Sequence, residues 1–214
     1  MPRAGLTGDR VVAEAERMAD DAGLGQLSLT ALAERLGVRQ PSIYKHIDSM
    51  AGLRRSISVR AKAELGDVLA RAAVGRSGAD AIRSMSQAYR TWALAHPGRY
   101  EAAQVAPAPG DADDEAVSQA VVQICADVLA AYELHGDDAI DAIRALRSTL
   151  HGFVALEAGG GFGFKTDIDR SFERLVRGMV VAFASWTDRG APGTRPARTG
   201  VANDRQPLPG PRHC

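Results

Sequence analysis

Between Gln40 and His46 the sequence gathers Gln40, Ser42, Tyr44, Lys45 and His46 around an apolar Ile43. An amide, two hydroxyls, an ammonium and an imidazole form a set of hydrogen-bond donors and acceptors. On a short helix that buries Ile43 they face outward together, which suits base edges and phosphate oxygens in a major groove. Covalent chemistry has no comparable signature. No G-x-S-x-G turn occurs, and His46, His96, His135, His151 and His213 show neither H-x-x-x-H nor Cys/His metal spacing. No metal and no cofactor are expected.

The elements that must hold these side chains are helices. Apolar residues recur at three- and four-residue spacing and nowhere alternate at period two. Thr7 caps a first helix with Val11, Ala15, Met18 and Ala22 on one face, ended by Gly23 and Gly25. Ser28 caps a short helix through Leu29, Leu32, Ala33 and Leu36 that stops at Gly37, and Gln40 to His46 follows with Pro41 in its first turn. Two short helices about Gly37-Val38-Arg39 make a helix-turn-helix, with Gly37 permitting the reversal and Val38 plugging the corner. Ser49 then caps a long helix that runs out near Gly75.

The remainder repeats the pattern on a larger scale. Ile82, Met85, Tyr89 and Trp92 share a helix ending before Pro97, and Gly98 to Val105 is a short helix. Val117 to Tyr132 is a long one, Asp137 opens the next, and Asp167 opens the last, through Phe172, Val176, Met179, Val180, Phe183 and Trp186. Beyond Gly190 the chain is rich in proline and poor in apolar residues, and disorder is expected there. The fold class is therefore all-α: residues 1–48 as a three-helix head, 49–189 as a larger helical body, and 190–214 as a tail.

The 214 residues carry 26 basic and 26 acidic side chains, but not evenly. Residues 27–63 hold seven Lys and Arg against Glu34 and Asp48, whereas residues 64–186 are net acidic. A basic segment on an acidic body suits a polyanion-binding head. No apolar run approaches the roughly 20 residues of a membrane span, no secretory leader is visible, and Cys125 and Cys214 give no disulfide framework. The expected location is cytoplasmic. Gly159 to Thr166 narrowly misses a nucleotide phosphate loop, because Phe164 replaces the second required Gly, and it reads as an interhelical loop. Asp111, Asp113, Asp114 and Glu115 lack the Gly and distal Glu of a calcium loop and read as a solvated helix start. Cys125 reads as an inert buried thiol.

On these residues the segment from Thr7 to about Ile57 resembles the TetR family of bacterial transcriptional repressors, most specifically through Leu29 to Val38 and Pro41 to Ile47. Tyr89 to Tyr100 and His151-Gly152-Phe153 resemble recurrent stretches of the WHG C-terminal domain subgroup, with Leu150 standing where Trp is expected. The resemblance implies a homodimer that binds double-stranded operator DNA through its heads and a small effector in its body. Tyr44, Lys45 and His46 are then expected at phosphates, with Gln40 and Ser42 nearer the bases. Thr30, Arg39, Pro41 and Arg54 complete the candidate DNA contacts. Met50 follows Ser49 where the family commonly has Lys, so Arg54 and Arg55 are the candidates to replace that phosphate contact.

For the effector, the candidate lining is Met85, Tyr89, Trp92, Ile124, Phe153 and Met179, a set without Lys or Arg that favours a mostly apolar, neutral or weakly cationic molecule. The apolar faces of the last two helices make Leu150, Phe172, Val176, Val180 and Phe183 the candidate dimer interface. The expected function is a regulator, most simply a repressor released by its effector, and not an enzyme. Two alternatives stay open: a constitutive DNA-binding protein with no effector, and a helical enzyme or carrier with a vestigial head.

Overall fold

The computed structural model describes residues 5–186, and among them the chain forms nine α-helices and two single 3-10 turns. These are α1 (Gly8–Ala22), α2 (Leu29–Leu36), α3 (Gln40–Ile43), α4 (Met50–Ala73), α5 (Gly78–Ala95), α6 (Pro97–Ala103), α7 (Ala112–Leu129), α8 (Gly136–Ala158) and α9 (Ile168–Trp186). No described residue lies in a strand. The expected tail falls outside the described residues, as do His213 and Cys214.

Side-chain caps start α1, α2 and α4 where the sequence places them, and Asp111 adds one at α7 that the sequence reading did not name. Thr7, Ser28, Ser49 and Asp111 each accept a backbone N–H three residues on, at 3.2, 3.2, 3.0 and 3.2 Å, in α1, α2, α4 and α7. Gly37 ends α2 in the left-handed region (φ 67°), a conformation open to glycine at no steric cost, and the chain reverses there into α3.

Several helix boundaries differ from the sequence expectation: α6 runs Pro97–Ala103 instead of Gly98 to Val105, α7 already begins at Ala112 and gives way to a 3-10 turn at Ala130–Tyr132, and α3 is shortened. α3 closes at Ile43, and Tyr44 to His46 continue as a tighter turn in which the backbone N–H of His46 donates to the Ile43 carbonyl at 2.8 Å. The tightening has a cause: Ile47 must swing into the head core and Ser49 must reach the start of α4.

Two apolar cores organise the chain. The head core collects Val11, Ala15, Leu32, Ile43, Ile47, Leu53 and Ile57. The body core gathers Leu65, Leu69, Met85, Tyr89, Trp92, Leu146, Leu150, Phe172, Val176 and Phe183. α4 belongs to both, since Leu53 and Ile57 serve the head while Ala61, Leu65 and Leu69 serve the body. Ala102 of α6 is likewise buried in the head core. A division at residue 48 therefore leaves out the first two turns of α4, which the head core needs.

Candidate nucleic-acid interface and effector cavity

The outward surface of the helix-turn-helix is open. Thr30, Arg39, Gln40, Pro41, Tyr44, Lys45 and Arg54 are exposed, Ser42 and His46 are half-buried, and Ile43 is fully buried beneath them. Tyr44 leaves 52% of its surface to solvent although it is large and aromatic. Burial of Ile43 and Ile47 is what turns the polar side chains outward.

Ion pairing sorts the basic residues of this region into two groups. Arg35 binds Glu14 (2.6 Å) and Asp21 (3.1 Å), and Arg60 binds Glu16 (2.9 Å) and Asp9 (3.4 Å). Burial acts against the Glu14 carboxylate, but Arg17 and Arg35 outweigh it and hold its pKa below the ordinary value. Arg55 is hydrogen-bonded to Asp111 and also reaches Asp113 (3.0 Å) at the start of α7, so it is committed to the body and does not replace the missing Lys of α4. Lys62 is buried against Asp114 at 2.6 Å. In contrast, no carboxylate among the described residues pairs with Arg39, Lys45 or Arg54. Cations left exposed and unneutralised can release counterions from a polyanion.

The acidic run at 111–115 is thus more than a solvated helix start. Asp111 caps α7 while binding Arg55, and Asp114 is buried against Lys62, so the run ties α7 to α4.

A second seam joins head to body through α6. Gly98 packs directly on α1: a Cβ at this position would overlap the carbonyl group of Ala19. Next to it, Arg99 donates its backbone N–H (2.9 Å) and its Nε (2.7 Å) to Asp20 of α1, and its Nη1 reaches Glu64 of α4 at 2.7 Å. Ser58 of α4 donates to the Ala102 carbonyl at 2.9 Å.

The far end of α6 borders a cavity of about 230 Å³. Its wall comprises Lys62, Leu65 and Leu69 of α4, Met85, Ser86 and Tyr89 of α5, Ala103 to Pro107, Ser118, Val121, Val122 and Cys125 of α7, and Ile143, Leu146, Arg147 and Leu150 of α8. From the expected lining only Met85 and Tyr89 are present. Trp92 faces a separate open groove with Val68, Ala72 and His96. Phe153 lies against Phe172 (5.1 Å between centroids) and Met179 accepts from the Thr149 hydroxyl at 3.7 Å, so both serve the α8–α9 contact instead. Ile124 also lies outside the wall. The expectation of a wall without Lys or Arg fails as well, which removes the case for a cationic occupant. Burial pushes the Cys125 thiol up to about 11, keeping it protonated and inert.

The candidate dimer residues fare differently from their expectation. Leu150 (5% exposed), Phe172 (2%), Val176 (3%) and Phe183 (0%) are sealed in the chain's own core and have no surface to offer a partner; only Val180 is partly exposed. The residues that α8 and α9 do expose include Leu156 (53%) and Val181 (64%). Sequence reasoning also missed Arg90, whose buried guanidinium binds Glu157 of α8 (2.5 Å) and Asp169 of α9 (2.8 Å) over the Phe172 ring (4.9 Å). The available signal was an Arg four residues after Ser86 and three before Ala93, on the buried face of α5, whereas Arg83 lies on its exposed face.

A helix-turn-helix head with free cations, set on a helical body that encloses a cavity, defines the class of all-α DNA-binding regulators. Known proteins agree. Residues 82–179 match the family model described as Tetracyclin repressor-like, C-terminal domain. The chain is 37% identical over 187 residues to an HTH-type transcriptional regulator of Mycobacterium tuberculosis, covering 86% of this chain and 83% of the relative. It is 36% identical over 177 residues to the HTH-type transcriptional regulator YobS of Bacillus subtilis, covering 82% and 92%. In fold it is similar to apo ActR from Streptomyces coelicolor (TM-score 0.69, 19% identity, 88% of this chain and 100% of that one). It is similar too to a TetR variant from Acinetobacter baumannii in complex with minocycline (TM-score 0.65, 20% identity, 85% and 98%). The chain belongs to the TetR family of DNA-binding transcriptional regulators. Its relatives are regulators rather than enzymes, and no single helix among the described residues is long and apolar enough to cross a membrane.

Proposed function

We propose that the protein is a cytoplasmic, ligand-responsive repressor that occupies a near-palindromic operator as a homodimer and leaves it when a small, mostly apolar effector fills the body. Gln40 and Ser42 read bases, while Thr30, Arg39, Pro41, Tyr44, Lys45, His46 and Arg54 fix the head on the backbone of the duplex. The single observation that carries the reading is the double engagement of α6. One end of this short helix is keyed to α1 by Gly98 and Arg99, and the other, with Ala103 and Gln104, borders the cavity. An occupant that displaces the α6 end displaces the head.

A hundredfold loss of operator affinity needs about 2.7 kcal/mol of coupling, and reciprocity requires the operator to weaken the effector by the same factor. Dimerisation uses the outer strip of α8 and α9 around Leu156 and Val181, not the buried face. The test is to select genomic fragments on the purified protein and measure their affinity. A shared near-palindrome bound tightly at moderate salt supports the reading, whereas enrichment of no common sequence refutes it.

A further inference from the structure

The hydroxyl that Tyr89 brings to the cavity is the end of a hydrogen-bonded chain that leads to the surface of α8. Tyr89 Oη lies 2.9 Å from Tyr100 Oη, and Tyr100 Oη lies 2.6 Å from His151 Nδ1. The rings of Tyr100 and His151 also lie against one another, with 5.7 Å between centroids. His151 is exposed, so the chain links a buried wall to solvent across α5, α6 and α8.

The direction of this chain is set at its His151 end. A neutral imidazole nitrogen is a better acceptor than a phenol oxygen, and a phenol is a better donor than imidazole, so Tyr100 sends its proton to His151 Nδ1. Tyr100 has only that one proton, so across the 2.9 Å contact Tyr89 is the donor and its lone pairs are left for the cavity. Burial pushes both tyrosine hydroxyls up, so each keeps its proton.

We propose that Tyr89 meets the effector as a hydrogen-bond acceptor while His151 is neutral, so that the cavity selects a neutral apolar molecule bearing one N–H or O–H donor, and that protonation of His151 reverses this preference. An imidazolium must donate from Nδ1 to Tyr100. Tyr100 then donates to Tyr89, and the Tyr89 proton is turned into the cavity, where it requires a carbonyl or other acceptor. The groups that face His151 are Tyr100 of α6, Tyr89 of α5 behind it and Arg147 one turn earlier on α8, while Cys125 of α7 stands behind Tyr89. The inference rests on the cavity's being the effector site.

The test uses two bicyclic probes small enough for the cavity, indole (donor only) and 1-indanone (acceptor only). Calorimetry on the full chain at about pH 8 and about pH 5, either side of the ordinary imidazole range, gives the ratio of their affinities, and the Met85 methyl resonance reports where each binds. A donor left facing a donor in a buried wall costs enough to expect at least tenfold preference for indole at the higher pH. That preference should fall at least tenfold at the lower pH and stay constant with pH in His151→Ala. Tyr100→Phe should abolish it, since Tyr89 is then free to turn either way. Preference for 1-indanone at the higher pH, or a ratio that ignores both pH and His151→Ala, overturns the proposal and leaves the cavity as an effector site. Probes that bind without moving the Met85 resonance, or do not bind, overturn both.

Discussion

Breaking the Lys62–Asp114 pair should be among the most destabilising changes available in the body, and unequally so from its two sides. The ammonium and carboxylate lie 2.6 Å apart with 7% and 6% of their side-chain surfaces exposed. Removing one partner from such a pair strands a buried charge and costs about 3–5 kcal/mol. Asp114→Ala should reach that range, because it leaves Lys62 among Leu65, Leu69 and Val121 in the cavity wall. Lys62→Met should cost about 1 kcal/mol less, since Asp114 lies in the first turn of α7 and retains the favourable end of the helix dipole. The double variant Lys62→Met with Asp114→Leu leaves no charge to strand. Its loss should fall at least about 2 kcal/mol short of the sum of the two singles. Urea unfolding at fixed pH measures all four proteins, with an unchanged denaturant slope as the check on two-state behaviour. Additive losses, or a Lys62→Met variant more damaged than Asp114→Ala, would refute the reasoning.

Other consequences follow from separate parts of the chain. Gly98→Ala forces α6 off the Ala19 carbonyl and should weaken operator binding without altering the head surface; wild-type affinity in a gel-shift titration would show that the α1–α6 seam is not tight. Val181→Glu should yield a monomer by sedimentation, whereas Val176→Glu should unfold the chain, because the first residue is 64% exposed and the second 3%. With its thiol pushed up to about 11, Cys125 should alkylate with iodoacetamide at pH 8 on the order of a hundredfold more slowly than an ordinary thiol. Peptide mass spectrometry reads this, and rapid labelling of native protein would contradict it.

Much of the head was legible in the sequence because its signals are local. Thr7, Ser28 and Ser49 are caps read within four residues, and Gly37 marks a reversal that any larger side chain resists. Burial of Ile43 and Ile47 then leaves only one direction for Gln40, Tyr44 and Lys45. The body was less legible, because helical periodicity shows that a face is apolar but not what it meets. Phe153 and Met179 share the pattern of Met85, yet they fill the α8–α9 contact, and the buried face of α9 belongs to its own chain. Charges misled for a similar reason. Lys62 and Arg55 counted toward a basic head until Asp114 and Asp111, more than fifty residues later, proved to be their partners. Long-range pairing of that kind leaves no spacing to read.

The central claim is that the free cations of the head, and not the paired ones, hold DNA beneath a base-reading α3. The salt dependence of operator affinity tests it most directly. Anisotropy titrations of wild type, Lys45→Ala, Arg60→Ala and Gln40→Ala on an operator and on random duplex should separate three behaviours. Lys45→Ala should weaken both duplexes and reduce the slope of log affinity against log salt by about 0.9, one phosphate's worth. Arg60→Ala, whose guanidinium is already bound by Glu16, should leave that slope unchanged. Gln40→Ala should keep the slope and lose about 1–3 kcal/mol on the operator alone. Equal slopes for Lys45→Ala and wild type, or equal losses on both duplexes for Gln40→Ala, would contradict the account.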